Sequence, residues 1–316
     1  MPSPFRIGVD ENGLGSRLGP LVVTAVLARV DARGAETLSR RLPRSLRASL
    51  GDSKSLVSHT NVRLGEAWAR ELALPDAPDT AALFERLSLE GGPKLRERCP
   101  AQAEAQCWGT APDAFEAEPA LLRQVARHRA LLAGRGVELL TVKSSVLCTE
   151  TLNRGRKAGK NRFVMDLHAM ETLVLELRRV AAANVSAVCG KVGGMAEYSR
   201  FFGPLGGWLH NVLDEGPARS AYRFPTVGEI AFVRDADASD PLVMLASLVG
   251  KYVRELFMSR IGKHYPTDDD AARPSGYHDP VTSAFVLRTA LVRKRQKVPD
   301  RCFERDRDAL PDLARP

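Results

Sequence analysis

The segment FRIGVDENGLGSRLGPLVVTAVL, beginning at Phe5, constrains the fold of this chain more than any other. An apolar run ends in two adjacent carboxylates, Asp10 and Glu11. A turn carrying Gly13, Gly15 and Gly19 follows, and then a second apolar run. Two short apolar runs joined by about a dozen glycine-rich residues read as an antiparallel pair of strands. Like charges at the end of a buried strand repel, and burial raises the pKa of at least one of them. Two readings fit the pair: acids in a solvated turn, or a cation held at the strand end.

Further strands are predicted at 137–142, 185–189 and 229–233, which with 5–9 and 21–29 makes five. Leu167, Met170, Val174, Leu177 and Ala181 recur at helical spacing and predict a helix over about 166–183. A second helix is predicted over about 241–258, with Pro241 suited to its first turn. Strand–helix–strand alternation implies parallel neighbours, so the expected fold is α/β: a mixed five-stranded sheet flanked by helices. Proline and glycine break residues 74–119 into short helical pieces, read as an insertion or small helical subdomain of a domain spanning 1–260. Residues 261–316 read as a loop, a basic helix over about 281–294 and a mixed-charge tail.

With 316 residues, 44% hydrophobic and 27% charged, the chain has the composition of a globular protein with a full core. The longest apolar stretches fall short of the roughly 20 residues a membrane span needs. MPSPFR lacks the apolar region of a signal peptide, so a soluble, cytoplasmic protein is expected. The five cysteines include no CxxC; Cys99 and Cys107, with no histidine nearby, read as reduced thiols. A net charge of +8 favours a polyanionic partner, nucleic acid first and no membrane. RGRKAGKNR, starting at Arg154, reads as a glycine-containing loop whose Arg156 and Lys157 suit phosphate contact; Arg288, Arg293, Lys294, Arg295 and Lys297 add a second basic run.

A second acidic cluster, Asp235, Asp237 and Asp240, lies between the last strand and the helix at Pro241. Asp240 fits an N-cap, whereas capping does not explain Asp237. Acids at two separate strand ends suit a hard cation such as Mg²⁺, which takes a few carboxylate oxygens and keeps several waters. Other chemistries fit poorly. His168 and His210 read as packing residues, Ser145 lacks a nucleophile elbow, and the glycine turn follows acids rather than preceding a P-loop lysine.

Taken together, these motifs resemble those of type 2 ribonucleases H, which cut the RNA strand of RNA–DNA hybrids. GVDENGLGSRLGPLVVTAV is similar to that family's opening strand, acidic pair and glycine turn. GDSKSL, residues 51–56, resembles its Asp-Ser-Lys-Lys-Leu motif and points to Lys54. DADASDPLVMLASLVGKYVRE resembles the segment in which the fourth catalytic acid precedes a helix; counted back from Lys251, that acid is Asp237. SGYHDPVT is similar to a fourth motif and places the substrate-sensing tyrosine at Tyr277. The resemblance covers about residues 5–281 except 74–119. It implies a ribonuclease-H-like fold and an endonuclease dependent on Mg²⁺ or Mn²⁺. Asp10, Glu11 and Asp237 would be catalytic and metal-binding; Gly13, Gly15, Lys54 and Tyr277 would touch the hybrid.

Two departures qualify that implication. Leu14 stands where the family carries arginine, or threonine in the related type 3 enzymes, which bears on recognition of a single ribonucleotide in DNA. The family's third acid falls on Cys189 or Gly190, followed by Lys191, where there is no carboxylate. Asp166 starts the preceding helix, and Glu197 reaches the site only if its loop folds back. Lys191 reads either as an exposed lysine or as a fixed charge holding phosphate in a cation's place. The alternatives to a nuclease are therefore a catalytically silent protein that binds hybrid or other nucleic acid duplex, and a scaffold that docks a partner through residues 74–119.

Overall fold

The computed structural model describes residues 3–40, 42–51, 53–109, 113–193, 195–265 and 273–306, without the side chains of Ser53 and Lys54. Seven strands form one sheet: β1 (Phe5–Asn12), β2 (Leu21–Val30), β3 (Val137–Leu147), β4 (Val185–Gly190), β5 (Asn211–Glu215), β6 (Arg219–Phe224) and β7 (Gly228–Val233). Their spatial order is β3-β2-β1-β4-β7-β6-β5. β3, β2 and β1 are mutually antiparallel, β1, β4 and β7 run parallel, and β7, β6 and β5 are again antiparallel. All five strands expected from the sequence are present. β5 and β6 add two more, because NVLDE is exposed throughout and RSAYRF carries two arginines, so neither has a clear apolar pattern.

Alternation along the strands sends side chains to two cores. Val23, Ala25 and Leu27 of β2 pack with Leu167, Met170, Leu173 and Leu177 of the Arg162–Ala181 helix. Val22, Val26 and Ala28 face the other way, toward Leu245, Ala246, Val249 and Val253 of the Pro241–His264 helix. That helix is buried nearly all round, and Asp240 caps it by accepting from the amides of Leu242 and Val243. Gly8 lets it lie flush on β1: a Cβ there would sit 2.3 Å from the Leu242 carbonyl carbon. This close approach brings the helix start, and Asp237 just before it, beside the end of β1.

Within residues 74–119 lie the short helices Thr80–Leu87, Gly92–Glu97 and Ala101–Trp108. Leu83, Phe84, Leu87 and Leu95 enter the same core as the Pro241–His264 helix, where the rings of Phe84, Trp108 and Phe257 meet edge to face. The Pro280–Arg295 helix is capped by Asp279 and packs Phe285 and Val286 against Leu18, Met258 and Phe303.

The basic stretch at Arg154 is not mainly a loop. Thr149–Lys157 is helical, with Arg154, Arg156 and Lys157 in its last turn, where cations complement the helix carbonyls. In the second basic run, Arg293 is buried: it lies 3.9 Å from the Phe303 ring centroid and 3.1 Å from Asp300. It holds the helix to the chain rather than facing solvent. Among the described residues, no helix is long and apolar enough to cross a membrane.

Candidate active site

The three parallel strands β1, β4 and β7 end at one edge of the sheet, and the residues at or just beyond those ends line a cavity of about 390 Å³. β1 supplies Asp10 and Glu11, β4 supplies Gly190 and Lys191, and the segment after β7 supplies Asp237. Gly13 and Gly15 of the turn, Arg234 and Asp235 after β7, Ser247 and Lys251 of the long helix, and Tyr277 also line it. The carboxylate of Asp10 is buried, which raises its pKa well above the ordinary value; the negative charges of Glu11 and Asp237 raise it further, and a hydrogen bond with Ser247 partly opposes them.

Gly190 sits at an open point of this wall. A Cβ at this position would lie 3.0 Å from Asp10 Oδ1 and 3.3 Å from Glu11 Oε2, so two carboxylates converge on a point where the chain has no side chain. Cys189 faces elsewhere: it pairs with Val9 and is buried in the core under the Arg162–Ala181 helix. Of the two positions the sequence left open, 190 is the one that enters the cavity.

Asp166, set aside in the sequence because it lies on a helix, is fully buried within reach of Asp10's field. Among the described residues neither of its oxygens has a hydrogen-bond partner. Burial raises its pKa strongly, and Asp10 adds to the shift. Glu197 does not line the cavity and pairs with Arg200 at 3.9 Å. Lys191 lines it, but its ammonium donates to the Gly216 carbonyl and Ser220 Oγ, both at 2.9 Å, and sits over the Tyr198 ring. Lys191 is therefore not simply an exposed lysine: neutral acceptors, the Gly216 carbonyl in the turn between β5 and β6 and Ser220 of β6, hold its ammonium at the cavity wall.

The glycine turn is fixed by arginines whose roles were not readable from sequence. Arg305 donates to the carbonyls of Gly13 at 2.6 Å and Gly19 at 2.8 Å, and Arg162 donates to that of Leu14 at 3.0 Å. Buried Arg254 pairs with Glu255, donates to Ser16 Oγ and the Ser275 carbonyl, and lies 4.5 Å from the centre of the Tyr277 ring. Gly13 has φ +89°, and a Cβ there would strike Arg254 Nε at 2.7 Å, so the turn needs glycine. At Gly15 the corresponding space is open. Lys251 donates to the Val57 carbonyl and fastens the segment following the Ser53–Leu56 helix beside the cavity. The side chain of Lys54 lies outside the described residues. Arg156 and Lys157 do not line the cavity, and Arg156 pairs with Asp306 at 3.6 Å.

As a metal site this is open rather than a closed cage. Among the described residues, no three His, Cys, Asp or Glu side chains are grouped to hold an ion by themselves. The donors that do converge, Asp10 and Glu11 with Asp237 on the same wall, are hard oxygens. Hard oxygens are the donor type that Mg²⁺ and Mn²⁺ take together with waters and phosphate oxygens.

Fold and site thus define a mixed α/β protein with an acidic cavity at the carboxyl ends of its parallel strands, a place where open sheets of this kind commonly bind ligands. No protein-family model matches the chain, and no curated protein matches it. Among solved structures it is similar to type 2 ribonucleases H. A chain of the PCNA:RNase HII complex from Archaeoglobus fulgidus aligns at 17% identity and TM-score 0.43, covering 98% of this chain and 100% of that one. Bst-RNase HIII in complex with Mn²⁺ aligns at 13% and 0.45, covering 98% and 68%. Ribonuclease H2 from Pyrococcus horikoshii OT3 aligns at 14% and 0.41, covering 95% and 92%. With TM-scores below 0.5 these stand as similarities alone, and the chemistry of the cavity rests on its own geometry.

Proposed function

We propose that this protein is a cytoplasmic, metal-dependent endonuclease acting on the RNA strand of RNA–DNA hybrids, from an acidic site that lacks one carboxylate. The observation that carries the reading is the meeting of Asp10, Glu11 and Asp237 in one cavity with the glycine turn and Tyr277. Asp10, Glu11 and Asp237 would hold Mg²⁺ or Mn²⁺, which when bound supplies Lewis-acid stabilisation of phosphoryl oxygens and lowers the pKa of a ligated water.

The remaining chemistry belongs to the chain. Gly15, where the space a Cβ would take is open, leaves room for a sugar–phosphate backbone to approach the main chain, and Gly13 shapes the turn that presents it. Tyr277, set on the buried Arg254 guanidinium, presents an aromatic edge to the minor groove, where RNA-containing duplexes display their 2′-hydroxyls. Arg156 and Lys157 on the outer helix add affinity through phosphates without sequence preference. Titrating Mg²⁺ and Mn²⁺ against cleavage of a labelled hybrid tests the reading. Weak cleavage, better with Mn²⁺ and lost in Asp237→Asn, is expected.

The empty position at Gly190 favours a second reading, a silent protein that binds hybrid. It gains if hybrid binds but is not cut by either the native chain or Gly190→Asp.

A further inference from the structure

Two cations stand immediately beyond two of the parallel strands whose ends build the acidic cavity. Lys191 follows β4 and Arg234 follows β7, and Gly190 pairs with Val233 at the end of that ladder, so the two side chains leave the sheet from neighbouring positions. Both line the cavity that Asp10, Glu11 and Asp237 line. Burial lowers the Lys191 pKa and the Arg234 charge lowers it further, so the two cations feel one another; Asp214 opposes the shift. Like charges set side by side at the wall of a cavity repel, and an anion between them relieves the repulsion.

The chain answers these charges with neutral groups. In the turn between β5 and β6 the Gly216 carbonyl accepts from Lys191 Nζ at 2.9 Å, the Pro217 carbonyl accepts from Arg234 Nη2 at 2.8 Å, and the Ala218 carbonyl accepts from the Arg234 amide at 2.9 Å. Ser220 Oγ gives its own hydrogen to the Ala196 carbonyl at 2.5 Å, so toward Lys191 it can only accept. Asp214, the carboxylate whose field reaches Lys191, pairs with Arg219 at 3.4 Å.

Donors remain over. An ammonium has three N–H bonds, and Gly216 and Ser220 account for two of those on Lys191. A guanidinium has five, and Pro217 accounts for one of those on Arg234, whose side chain is exposed. Among the described residues the hydrogen-bond partners of both side chains are all neutral. A point charge beside a planar fork of donors suits the two charged, non-bridging oxygens of a backbone phosphate.

We infer that Lys191 and Arg234 bind a backbone phosphate of the nucleic-acid strand in this cavity without the help of a divalent ion, Lys191 through its remaining N–H and Arg234 through the open part of its guanidinium. The inference rests on the reading of the cavity as a nucleic-acid site. It gives that site an anchor of fixed positive charge next to position 190, where the strand supplies no carboxylate. Hybrid binding then persists in chelator, while the acids Asp10, Glu11 and Asp237 serve the metal. The turn between β5 and β6 positions both cations, which gives these two edge strands a part in the site.

The test is fluorescence anisotropy of a labelled RNA–DNA hybrid with the full chain in EDTA, over a range of salt concentrations. The native chain should bind. Lys191→Met and Arg234→Gln should each weaken binding about tenfold at low salt, and the double variant should lower the magnitude of the log K versus log salt slope by about two. Lys191→Arg, which keeps the charge, should stay within about threefold of the native affinity. Should Lys191→Met fail to fold, Arg234→Gln, at an exposed side chain, carries the same comparison. No binding by the native chain in EDTA, or native affinity and slope in both single variants, would overturn the assignment even if the native chain cuts hybrid in Mn²⁺. Loss of affinity and slope in the variants supports it even if no hybrid is cut, in which case the nuclease reading alone fails.

Discussion

Replacing Gly190 with aspartate places a carboxylate at the point where Asp10 and Glu11 converge. Gly190 ends a regular strand and is not among the residues with positive φ, so its backbone accepts a side chain. The nearest atoms to the new Cβ, at 3.0 and 3.3 Å, are carboxylate oxygens that can rotate away rather than fixed main chain. Steric cost is therefore small and electrostatic cost dominates. Two unit charges 4 Å apart at an effective dielectric of 20 repel by about 4 kcal/mol, an upper figure that rotation and protonation reduce to about 2 kcal/mol. In chelator, Gly190→Asp should then melt about 3 °C below the native chain. Added Mn²⁺ should reverse the order: a hundredfold tighter site contributes about 2.7 kcal/mol more at saturation. The assay is thermal unfolding of both proteins in EDTA and in millimolar Mn²⁺, with Cys189→Asp as the comparison. That variant puts its charge in the apolar core, so it should lose stability without a gain in metal response. Equal melting of Gly190→Asp and the native chain in EDTA, together with equal shifts in Mn²⁺, would refute the placement of the missing acid.

Three other outcomes are expected. Burial raises the pKa of Glu171 to about 7, opposed by hydrogen bonds from Gly203 and Leu205, so the native state binds a proton the unfolded state releases. Its contribution is present below about pH 4.5 and lost as pH rises through 7, by about 3 kcal/mol; Glu171→Gln should flatten denaturant midpoints over that window. Asp166→Asn removes a buried carboxyl that has no hydrogen-bond partner among the described residues and whose burial disfavours ionisation, and should raise stability at pH 8 by about 1–3 kcal/mol; an unchanged or lower midpoint contradicts this. Arg305→Ala frees the carbonyls of Gly13 and Gly19 and should weaken hybrid binding with the salt slope unchanged, whereas reversing Arg156 and Lys157 should lower the slope by about two; identical slopes in all three proteins would remove the helix end from the interface.

The sequence reported most directly on what apolar pattern controls. The five strands with clear apolar runs and the helix capped by Asp240 formed where the pattern put them, and the acids of β1 and of the segment after β7 reached one cavity because both sit at carboxyl ends of parallel strands. What pattern does not control was hidden. The exposed edge strand β5 has no buried face to mark it. The fate of Lys191 depended on β5 and β6: their turn supplies the Gly216 carbonyl and β6 supplies Ser220. Arg293 stood in a basic run and nothing in the sequence singled out Arg254 or Arg305; long-range partners place all three inside the protein. Proximity of Asp166 to Asp10 is likewise a tertiary fact, set by contacts between segments far apart in the chain.

The central claim, that Asp10, Glu11 and Asp237 form a nuclease site short of one carboxylate at position 190, is tested most directly by the rate of RNA-strand cleavage in a labelled RNA–DNA hybrid with millimolar Mn²⁺. The native chain should cut slowly, Asp237→Asn should not cut, and Gly190→Asp should cut at least tenfold faster than the native chain. Cleavage that survives Asp237→Asn, or its absence from the native chain and Gly190→Asp alike while both bind hybrid, would contradict the claim.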